Sequence, residues 1–217
     1  MKILAVADFH GKCSADTNLA KFLERDDYDI LIMLGDLTHL GPDSELEDIL
    51  ERVKTSKIKT LAVPGNCDPR PIQQILEKHG ISLHRKKEDY GGTTFVGLGG
   101  SNTTPFNTPF ELTESEIEED LDSVSNGVKN GWILVTHVPP YGTCADLTPD
   151  GIHVGSKAVR KIIDRKQPRL SLCAHIHEAR CTDKIGDTVI VNPGPISKGF
   201  AAAITIDKSA KVELLEI

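Results

Sequence analysis

Nine apolar, β-branched runs constrain the fold of this chain more than any other feature. They cover residues 2–8, 29–36, 58–66, 93–100, 132–140, 169–175, 188–194, 201–207 and 212–217. Continuous apolar runs of this length predict strands that are buried on both faces. Amphipathic helical patterns lie between them at 43–56, at 113–126 and around 158–163. Helices should therefore cover the sheet faces, and a purely parallel sheet is disfavoured because short links join the last strands.

The length and composition predict a single domain over residues 1–217. A chain of 217 residues with 39% hydrophobic and 26% charged residues is typical of a globular protein with one core. The net charge of -7 argues against polymeric nucleic acid and anionic membranes as partners, because both require a basic surface. No run reaches the roughly 20 apolar residues of a membrane span. Asp8 also interrupts the first run too early for a signal peptide. We expect a cytoplasmic protein, and its oligomeric state stays open.

The cysteines are odd in number and scattered along the chain, at positions 13, 67, 144, 173 and 181. This pattern is not a disulfide framework and favours a reducing compartment. We therefore expect the cysteines to be neither paired nor metal ligands.

Polar side chains follow five of the predicted strands at the point where each strand ends. They are Asp8, His10, Asp36, Asn66, His137, His175 and His177. Taken singly, each has an ordinary interpretation as a turn residue, a helix cap or a buried histidine. The carboxyl ends of strands in α/β sheets converge on one rim, however, so these side chains should lie close together. Burying carboxylates and imidazoles there without partners would lower the folding stability by several kcal/mol. A bound metal ion removes this penalty because it supplies the missing partner.

The segment "AHIH" at 174–177 has three interpretations: two buried core histidines, half of a zinc finger, or two ligands of a catalytic metal site. Cys173 and Cys181 lack the paired spacing of a structural zinc site. Carboxylate, amide and imidazole ligands suit Mn²⁺, Fe or Zn²⁺, with Ni or Co as further possibilities, and we expect Mn²⁺. The seven candidate ligands exceed the needs of one tetrahedral ion, so the pattern favours two divalent ions that share Asp36.

The ordered blocks "DFH", "GD", "GNCD", "THVPPYG" and "AHIH", between residues 8 and 177, resemble the signature of the calcineurin-like metallophosphoesterase family. The resemblance implies an α/β fold, a four-layer αββα sandwich of two mixed β-sheets flanked by helices. It also implies a phosphoesterase in which a metal-bridging hydroxide attacks phosphorus in line. The implied ligand roles are these: Asp8, His10 and His177 hold one ion; Asn66, His137 and His175 hold the other; Asp36 bridges them.

Two positions depart from the family pattern. Cys67 stands where many members have a histidine that protonates the leaving oxygen, and a neutral thiol is a poor replacement for that acid. Ala174 stands where the pattern has glycine. Its methyl group either crowds the second metal or is harmless.

Further candidates are predicted with competing ordinary roles. Asp36, Asn66 and His153 are the candidate catalytic residues, and His153 is either the missing acid, a substrate contact or an exposed histidine in a flexible loop at 139–154. Asn66, Asp68, Arg70 and Asn102 are the candidate substrate-binding residues. The alternatives are a helix cap for Asp68, a solvated side chain for Arg70 and a turn residue for Asn102.

The function that fits these features is a phosphodiesterase acting on small nucleotide or aryl phosphodiesters. The short chain leaves little surface for docking a protein substrate, and it has no basic track for a polymer. The alternatives are a phosphomonoesterase and a non-catalytic metal-binding scaffold or regulatory protein.

Overall fold

The structure is a computed structural model that describes residues 1–11, 13–24, 27–41, 43–54 and 58–217, without the side chains of 13–17, 43 and 54. The described strands are β1 (Lys2–Val6), β2 (Ile30–Met33), β3 (Lys59–Ala62), β4 (Lys86–Tyr90), β5 (Thr93–Leu98), β6 (Ser101–Asn102), β7 (Glu111–Leu112), β8 (Ile133–Thr136), β9 (Leu170–Leu172), β10 (Cys181–Ile185), β11 (Thr188–Asn192), β12 (Phe200–Ile206) and β13 (Ala210–Glu216). The described helices are α1 (Cys13–Leu23), α2 (Asp43–Lys54), α3 (Ile72–Lys78), α4 (Glu114–Val124) and α5 (Lys157–Lys166), with short 3₁₀ turns at Cys144–Asp146 and Ile196–Lys198.

Two large mixed sheets form the centre of the fold. The first has the strand order β13-β12-β1-β2-β3, and the second has the order β10-β11-β9-β8-β5-β4. In the first sheet β1, β2 and β3 are parallel to one another. The strand β12 is antiparallel to β1, and β13 is antiparallel to β12. In the second sheet β5, β8, β9 and β11 are parallel, and both edge strands are antiparallel. The predicted strands are therefore present, and neither sheet is purely parallel.

Three apolar clusters separate four layers of secondary structure. The inner cluster joins the facing sides of the two sheets and includes Ile3, Ile32, Phe95, Val135 and Leu172. A second cluster packs the other side of the first sheet against the helices α1, α2 and α3. A third packs the second sheet against α4 and α5. The predicted four-layer αββα sandwich is thus confirmed, and both sheets bury both faces, as their continuous apolar runs require.

The helices of the second sheet begin at well-formed caps. Thr113 and Glu116 form a reciprocal capping box at the start of α4. The Ser156 hydroxyl accepts a hydrogen bond from the Val159 N–H at the start of α5. The cap at Ser156 fixes the point at which the preceding loop, residues 139–156, ends and α5 begins.

One expectation about the cysteines is wrong. Cys144 and Cys181 form a disulfide with their Cα atoms 6.4 Å apart. They are separated by 37 positions in sequence, and only the packing of the 139–156 loop against β10 brings them together. Cys67 and Cys173 are free thiols, and the side chain of Cys13 lies outside the described part of the chain. The pairing removes the cysteine argument for a reducing compartment. Among the described helices, none has the length and apolar character needed to cross a bilayer.

Candidate metal centre

The predicted ligands come together where strands of both sheets end. Asp8 and Asp36 follow β1 and β2, and Asn66 follows β3 in the first sheet. In the second sheet His137 follows β8 and His175 follows β9. The side chains form two groups that share Asp36.

The first group consists of Asp8, His10, Asp36 and His177, whose ligating atoms all lie within 4.8 Å of one another. The Nε2 atoms of His10 and His177 are 3.1 Å apart. Both carboxylate oxygens of Asp8 are buried without a hydrogen-bond partner among the described residues. A buried carboxylate is costly unless a cation or donors compensate it, so this cluster fits a bound metal ion.

The second group centres on His137, which is fully buried. Its Nδ1 donates a hydrogen bond to the Leu34 carbonyl at 2.7 Å, which leaves Nε2 directed away from that carbonyl. The amide oxygen of Asn66 lies 2.9 Å from this Nε2. The ring of His175 is also adjacent, with its centroid 5.1 Å from that of His137.

Hydrogen bonds fix the orientation of the Asn66 amide. Its Nδ2 donates to the Thr108 hydroxyl at 3.1 Å, and that hydroxyl donates in turn to Glu111 at 2.7 Å. The Asn66 oxygen must therefore face His137 Nε2. Two acceptors at this distance repel each other unless a proton or a metal ion lies between them. The second group thus also fits a cation.

Asp36 connects the two groups through its two carboxylate oxygens. Oδ2 lies 3.7 Å from His10 Nε2 in the first group, and Oδ1 lies 3.5 Å from His137 Nε2 in the second. Oδ1 also accepts a hydrogen bond from the Cys67 N–H at 2.8 Å. Burial raises the pKa of Asp36, against the opposing effect of His137. This geometry is what a carboxylate bridging two ions requires.

The backbone is held in an unusual conformation at the ligands. Asp8, His10, Asp36 and His175 have φ angles of 57°, 50°, 49° and 74°, in the left-handed region. Each such residue costs on the order of 1–3 kcal/mol, and the cost is tolerated where the surroundings determine the conformation. Gly65 helps to do so, since a Cβ atom there would collide with the carboxylate and backbone nitrogen of Asp36.

The local electrostatics shift the pKa values of several candidate ligands towards the protonation states that can bind a metal ion. Burial lowers the pKa of His10 to about 4 and that of His175 to about 3, so both imidazoles are neutral at pH 7 and offer a lone pair. The neighbouring Asp8 carboxylate raises the pKa of His177. Burial opposes ionisation of Asp8, but His177, His137 and His10 outweigh it and lower its pKa.

The two departures from the family pattern have different consequences. Ala174 is fully buried, and its methyl group belongs to the inner apolar core between the sheets. Cys67 is half-buried beside Asp36, and burial, followed by the Asp36 charge, raises the pKa of its thiol. A thiol that holds its proton this tightly is a poor acid for a leaving group.

Asp68 has a structural position. It is fully buried, and it accepts hydrogen bonds from the N–H groups of Leu37, Thr38 and Gly65 at 3.1, 2.8 and 2.8 Å. Burial raises its pKa to about 6. The helix-cap alternative is wrong, because α3 begins after Pro71 without a side-chain cap. The expectation that Asp68 binds substrate is not supported, because its carboxylate accepts hydrogen bonds from the loops after β2 and β3 and so connects them.

A cavity of about 730 Å³ adjoins the second ligand group. Its lining residues are Asn102, Thr103, Thr104, Pro105, Phe106, Glu114, Tyr141, Thr148, His153, Val154, Gly155, Lys157, His175 and Ile176. The structure thus brings two sequence candidates, Asn102 and His153, to the same cavity as the candidate ligand His175. Arg70 is not there: its guanidinium lies over the Phe110 ring, 4.7 Å from the centroid, and lines a separate depression.

Sequence reasoning missed three residues around the site. Thr108 orients Asn66, and Asp146 contacts His153. His39 lies beside His10, with 3.5 Å between their Nδ1 atoms, and so supports the ring that carries a ligand atom. His39 could have been found from the sequence, because it lies only three positions after Asp36 of the "GD" block. Thr108 and Asp146 lie in irregular loops whose sequence predicts no contact.

Two mixed sheets between helices, with two candidate ligand groups sharing one carboxylate at the strand ends, fit the class of metal-dependent phosphoesterases. The comparison with known families agrees: the calcineurin-like phosphoesterase profile matches residues 1–179, and the chain belongs to this family.

Individual relatives are similar over most of the chain. The protein MJ1162 of Methanocaldococcus jannaschii is 43% identical over 201 residues, which cover 91% of this chain and 89% of that protein. The 3',5'-cyclic-nucleotide phosphodiesterase alr5338 of Nostoc sp. is 26% identical over 71% of this chain, which spans 58% of that protein. The crystal structure of TT1561 from Thermus thermophilus has a TM-score of 0.79 at 20% identity, over 99% of this chain and 98% of that one.

Proposed function

We propose that this protein is a two-metal phosphodiesterase for small nucleotide or aryl phosphodiesters. The observation that carries the proposal is the pair of ligand groups joined by Asp36 beside a cavity of about 730 Å³. This volume lies within the usual range of small-molecule sites. The similarity to a relative named as a cyclic-nucleotide phosphodiesterase supports the choice of diester.

Each ligand has a role that follows from its position. Asp8, His10 and His177 would hold one ion, Asn66, His137 and His175 would hold the other, and Asp36 would bridge them. When bound, two divalent ions supply an activated water as nucleophile and positive charge for the phosphoryl oxygens. The mixed oxygen and imidazole donors, with no thiolate among them, favour Mn²⁺ as the native metal.

The cavity walls favour a small substrate with an apolar part. Phe106 at the rim is 80% exposed, and Tyr141 is 38% exposed, so an aromatic or nucleoside group has two rings to contact. Lys157 supplies one positive charge in the same wall. With a net charge of -7, the protein has no general attraction for a polymeric nucleic acid or an anionic membrane, and we propose neither as partner.

An activity screen of the purified protein tests the proposal. The substrates are bis(para-nitrophenyl) phosphate, para-nitrophenyl phosphate and cyclic nucleotides, each with Mn²⁺, Zn²⁺, Ni²⁺, Co²⁺ or Fe²⁺. We expect metal-dependent turnover, with the diesters preferred and Mn²⁺ most effective. A preference for the monoester would make the protein a phosphomonoesterase. Metal binding without turnover of any ester would leave only the scaffold function.

Metal analysis of Asp36→Asn tests the shared carboxylate. We expect about two ions per chain in the wild type and loss of both sites together in the variant, because one side chain serves both groups. Asp164→Asn, on the exposed face of α5, is the matched control and should retain wild-type metal content. Loss of only one ion from Asp36→Asn would contradict the bridging role.

A further inference from the structure

His153 is held in a fixed orientation by a buried carboxylate. Its Nδ1 lies 2.7 Å from Oδ1 of Asp146, which is fully buried. Because a carboxylate only accepts, the imidazole must donate from Nδ1. The two ring nitrogens point in different directions, so Nε2 is directed away from Asp146. The side chain of His153 is 37% exposed and lines the cavity that His175 also lines.

Asp146 does not need His153 in order to be satisfied. Its carboxylate accepts hydrogen bonds from the N–H groups of Gly142, Thr143 and Gly155 at 3.1, 2.9 and 3.0 Å. A Cβ atom on Gly155 would lie 2.8 Å from Cβ of Asp146, so this close approach requires glycine. The backbone donors already compensate the buried charge. The additional bond to His153 therefore orients the imidazole and is not needed to satisfy the carboxylate.

The loop that carries both residues is not the flexible segment that its sequence suggests. Three further backbone hydrogen bonds close it, from Val154 to Asp146, from Tyr141 to Ser156 and from Ser156 to Pro139. The disulfide of Cys144 then joins it to β10, a few residues after the ligand His177. The imidazole is thus held by a rigid frame next to the ligand segment, as a group that acts on a bound substrate must be.

Diester cleavage at this site needs a proton donor other than the residue at position 67. The leaving oxygen departs with a pair of electrons and needs a proton unless it is already a weak base. Cys67, at the position of the usual histidine, carries a thiol, which is an intrinsically weaker acid than an imidazolium. Of the residues that line the cavity, His153 is the imidazole that is not itself a candidate ligand.

We propose that His153 is the general acid for the leaving group and that Asp146 is its positioning residue. The inference rests on the proposed phosphodiesterase function. An oxygen derived from water forms the new bond to phosphorus, and the bond from phosphorus to the leaving oxygen breaks. Nε2–H of the protonated His153 gives its proton to that oxygen, which leaves as an alcohol. The attacking water releases a proton to solvent and the neutral imidazole takes one from solvent, so one water is consumed per ester.

Paired esters that differ only in leaving group test the assignment. We compare the para-nitrophenyl and phenyl esters of one methyl phosphodiester with the Mn²⁺-loaded enzyme. His153→Ala should lower kcat on the phenyl ester by about 10²-fold or more, while the para-nitrophenyl ester, whose leaving group needs little protonation, changes far less. The metal content should stay at the wild-type value. His79→Gln is the control, because His79 bonds Glu47 and lies in a different depression.

The positioning role of Asp146 needs readouts that a structural role would not give. Asp146→Asn should reproduce the leaving-group selectivity, and adding His153→Ala to it should cause little further loss, because the two residues act as one unit. In the metal-free wild type, the ¹H–¹⁵N spectrum of the neutral His153 imidazole should show the Nδ1–H tautomer. Asp146→Asn should lose this preference.

The possible failures are distinguishable. Equal losses on both esters in His153→Ala, or no loss on either, would overturn the assignment while leaving the phosphodiesterase intact. Additive losses in the double variant would overturn the role of Asp146. A wild-type enzyme that hydrolyses neither ester with any metal would contradict the proposed function itself, and the general acid with it.

Discussion

Burial lowers the pKa of three histidines in this molecule, and these are of two kinds. His10 and His175 lie in the ligand groups, where they keep a lone pair for a metal. His84 lies outside them, and its Nδ1 accepts a hydrogen bond from the Gly99 N–H at 2.9 Å. Burial, followed by the charge of Arg85, lowers the pKa of His84 to about 4. Protonation of Nδ1 would remove the acceptor of the Gly99 N–H, so this hydrogen bond should be lost when His84 becomes charged at low pH.

The position of His84 predicts a pH-dependent stability. The unfolded side chain titrates near 6.5, so below that pH the unfolded chain binds a proton that the folded chain refuses. The stabilisation is complete above pH 6.5 and is lost as the pH falls towards 4. Between pH 8 and pH 5 the wild type should lose about 2 kcal/mol of unfolding free energy that His84→Asn retains. Denaturant unfolding across this range measures it. Parallel curves for the two proteins would refute the assignment.

The 139–156 loop shows what a disulfide does at the scale of an element. It links the 3₁₀ turn at Cys144–Asp146 to the first residue of β10 and closes a loop of 37 positions. The turn is also tied to β10 by a hydrogen bond from the Cys144 N–H to Asp183 at 2.8 Å. The cavity wall is therefore attached to the edge of the second sheet at two points.

Removal of the disulfide should reduce stability. The double variant Cys144→Ser, Cys181→Ser should lose about 2–4 kcal/mol, because the unfolded chain regains the freedom of the closed loop. Dithiothreitol should lower the midpoint of unfolding of the wild type to that of the variant. The variant in the same reductant is the control and should not respond. An unchanged midpoint for the reduced wild type would show that the bridge does not contribute.

Elements with a strong apolar pattern were predictable from the sequence, and others were not. The buried strands and α4 and α5 carry clear stripes or runs. The strand β4, "KKEDY", is almost wholly exposed at a sheet edge, so no apolar pattern marks it. The helix α3 has only seven residues, and β10 places one fully buried side chain, Ile185, in the core. In these elements tertiary pairing, and not local sequence, determines the structure.

The same division holds for the site. Most of the candidate ligands lie at or just beyond the end of a predicted strand, so the convergence of strand ends predicted that Asp8, Asn66 and His175 lie close together. Thr108 and Asp146 act from loops whose path depends on the packed sandwich. The Cys144 pairing was missed for the same reason, since its partner is near only after the loop has folded onto β10.

At the scale of the whole molecule, the candidate metal centre contains side chains from both sheets. Asp8, Asp36 and Asn66 come from the first sheet, while His137 and His175 come from the second. His137 Nε2 of the second sheet and Asn66 Oδ1 of the first lie 2.9 Å apart, so one metal ion would contact side chains of both sheets. Metal binding should therefore stabilise the contact between the sheets.

Metal removal should lower the thermal stability of the protein. A ligand that binds only the folded state stabilises it by about 4 kcal/mol when its free concentration is about 1,000 times Kd. We expect Tm to fall on treatment with EDTA and to rise again with added Mn²⁺ in a concentration-dependent way. Asp36→Asn should show a much smaller response. A wild-type Tm that is the same with and without metal would contradict a metal site between the sheets.

The strand order of the first sheet also has a consequence for synthesis on the ribosome. The strand β1 lies between β2 and β12, and Lys2–Ala5 pairs with Ala202–Thr205. The segment just before β12 also contacts the loop that follows β1, since the Ile196 N–H donates a hydrogen bond to the Ala7 carbonyl at 2.7 Å. A nascent chain thus presents Asp8 and His10 first but cannot fix them until β12 has left the exit tunnel. Capture of a metal ion in the native geometry should therefore follow the pairing of β12 with β1, however early Asp8 and His10 are made.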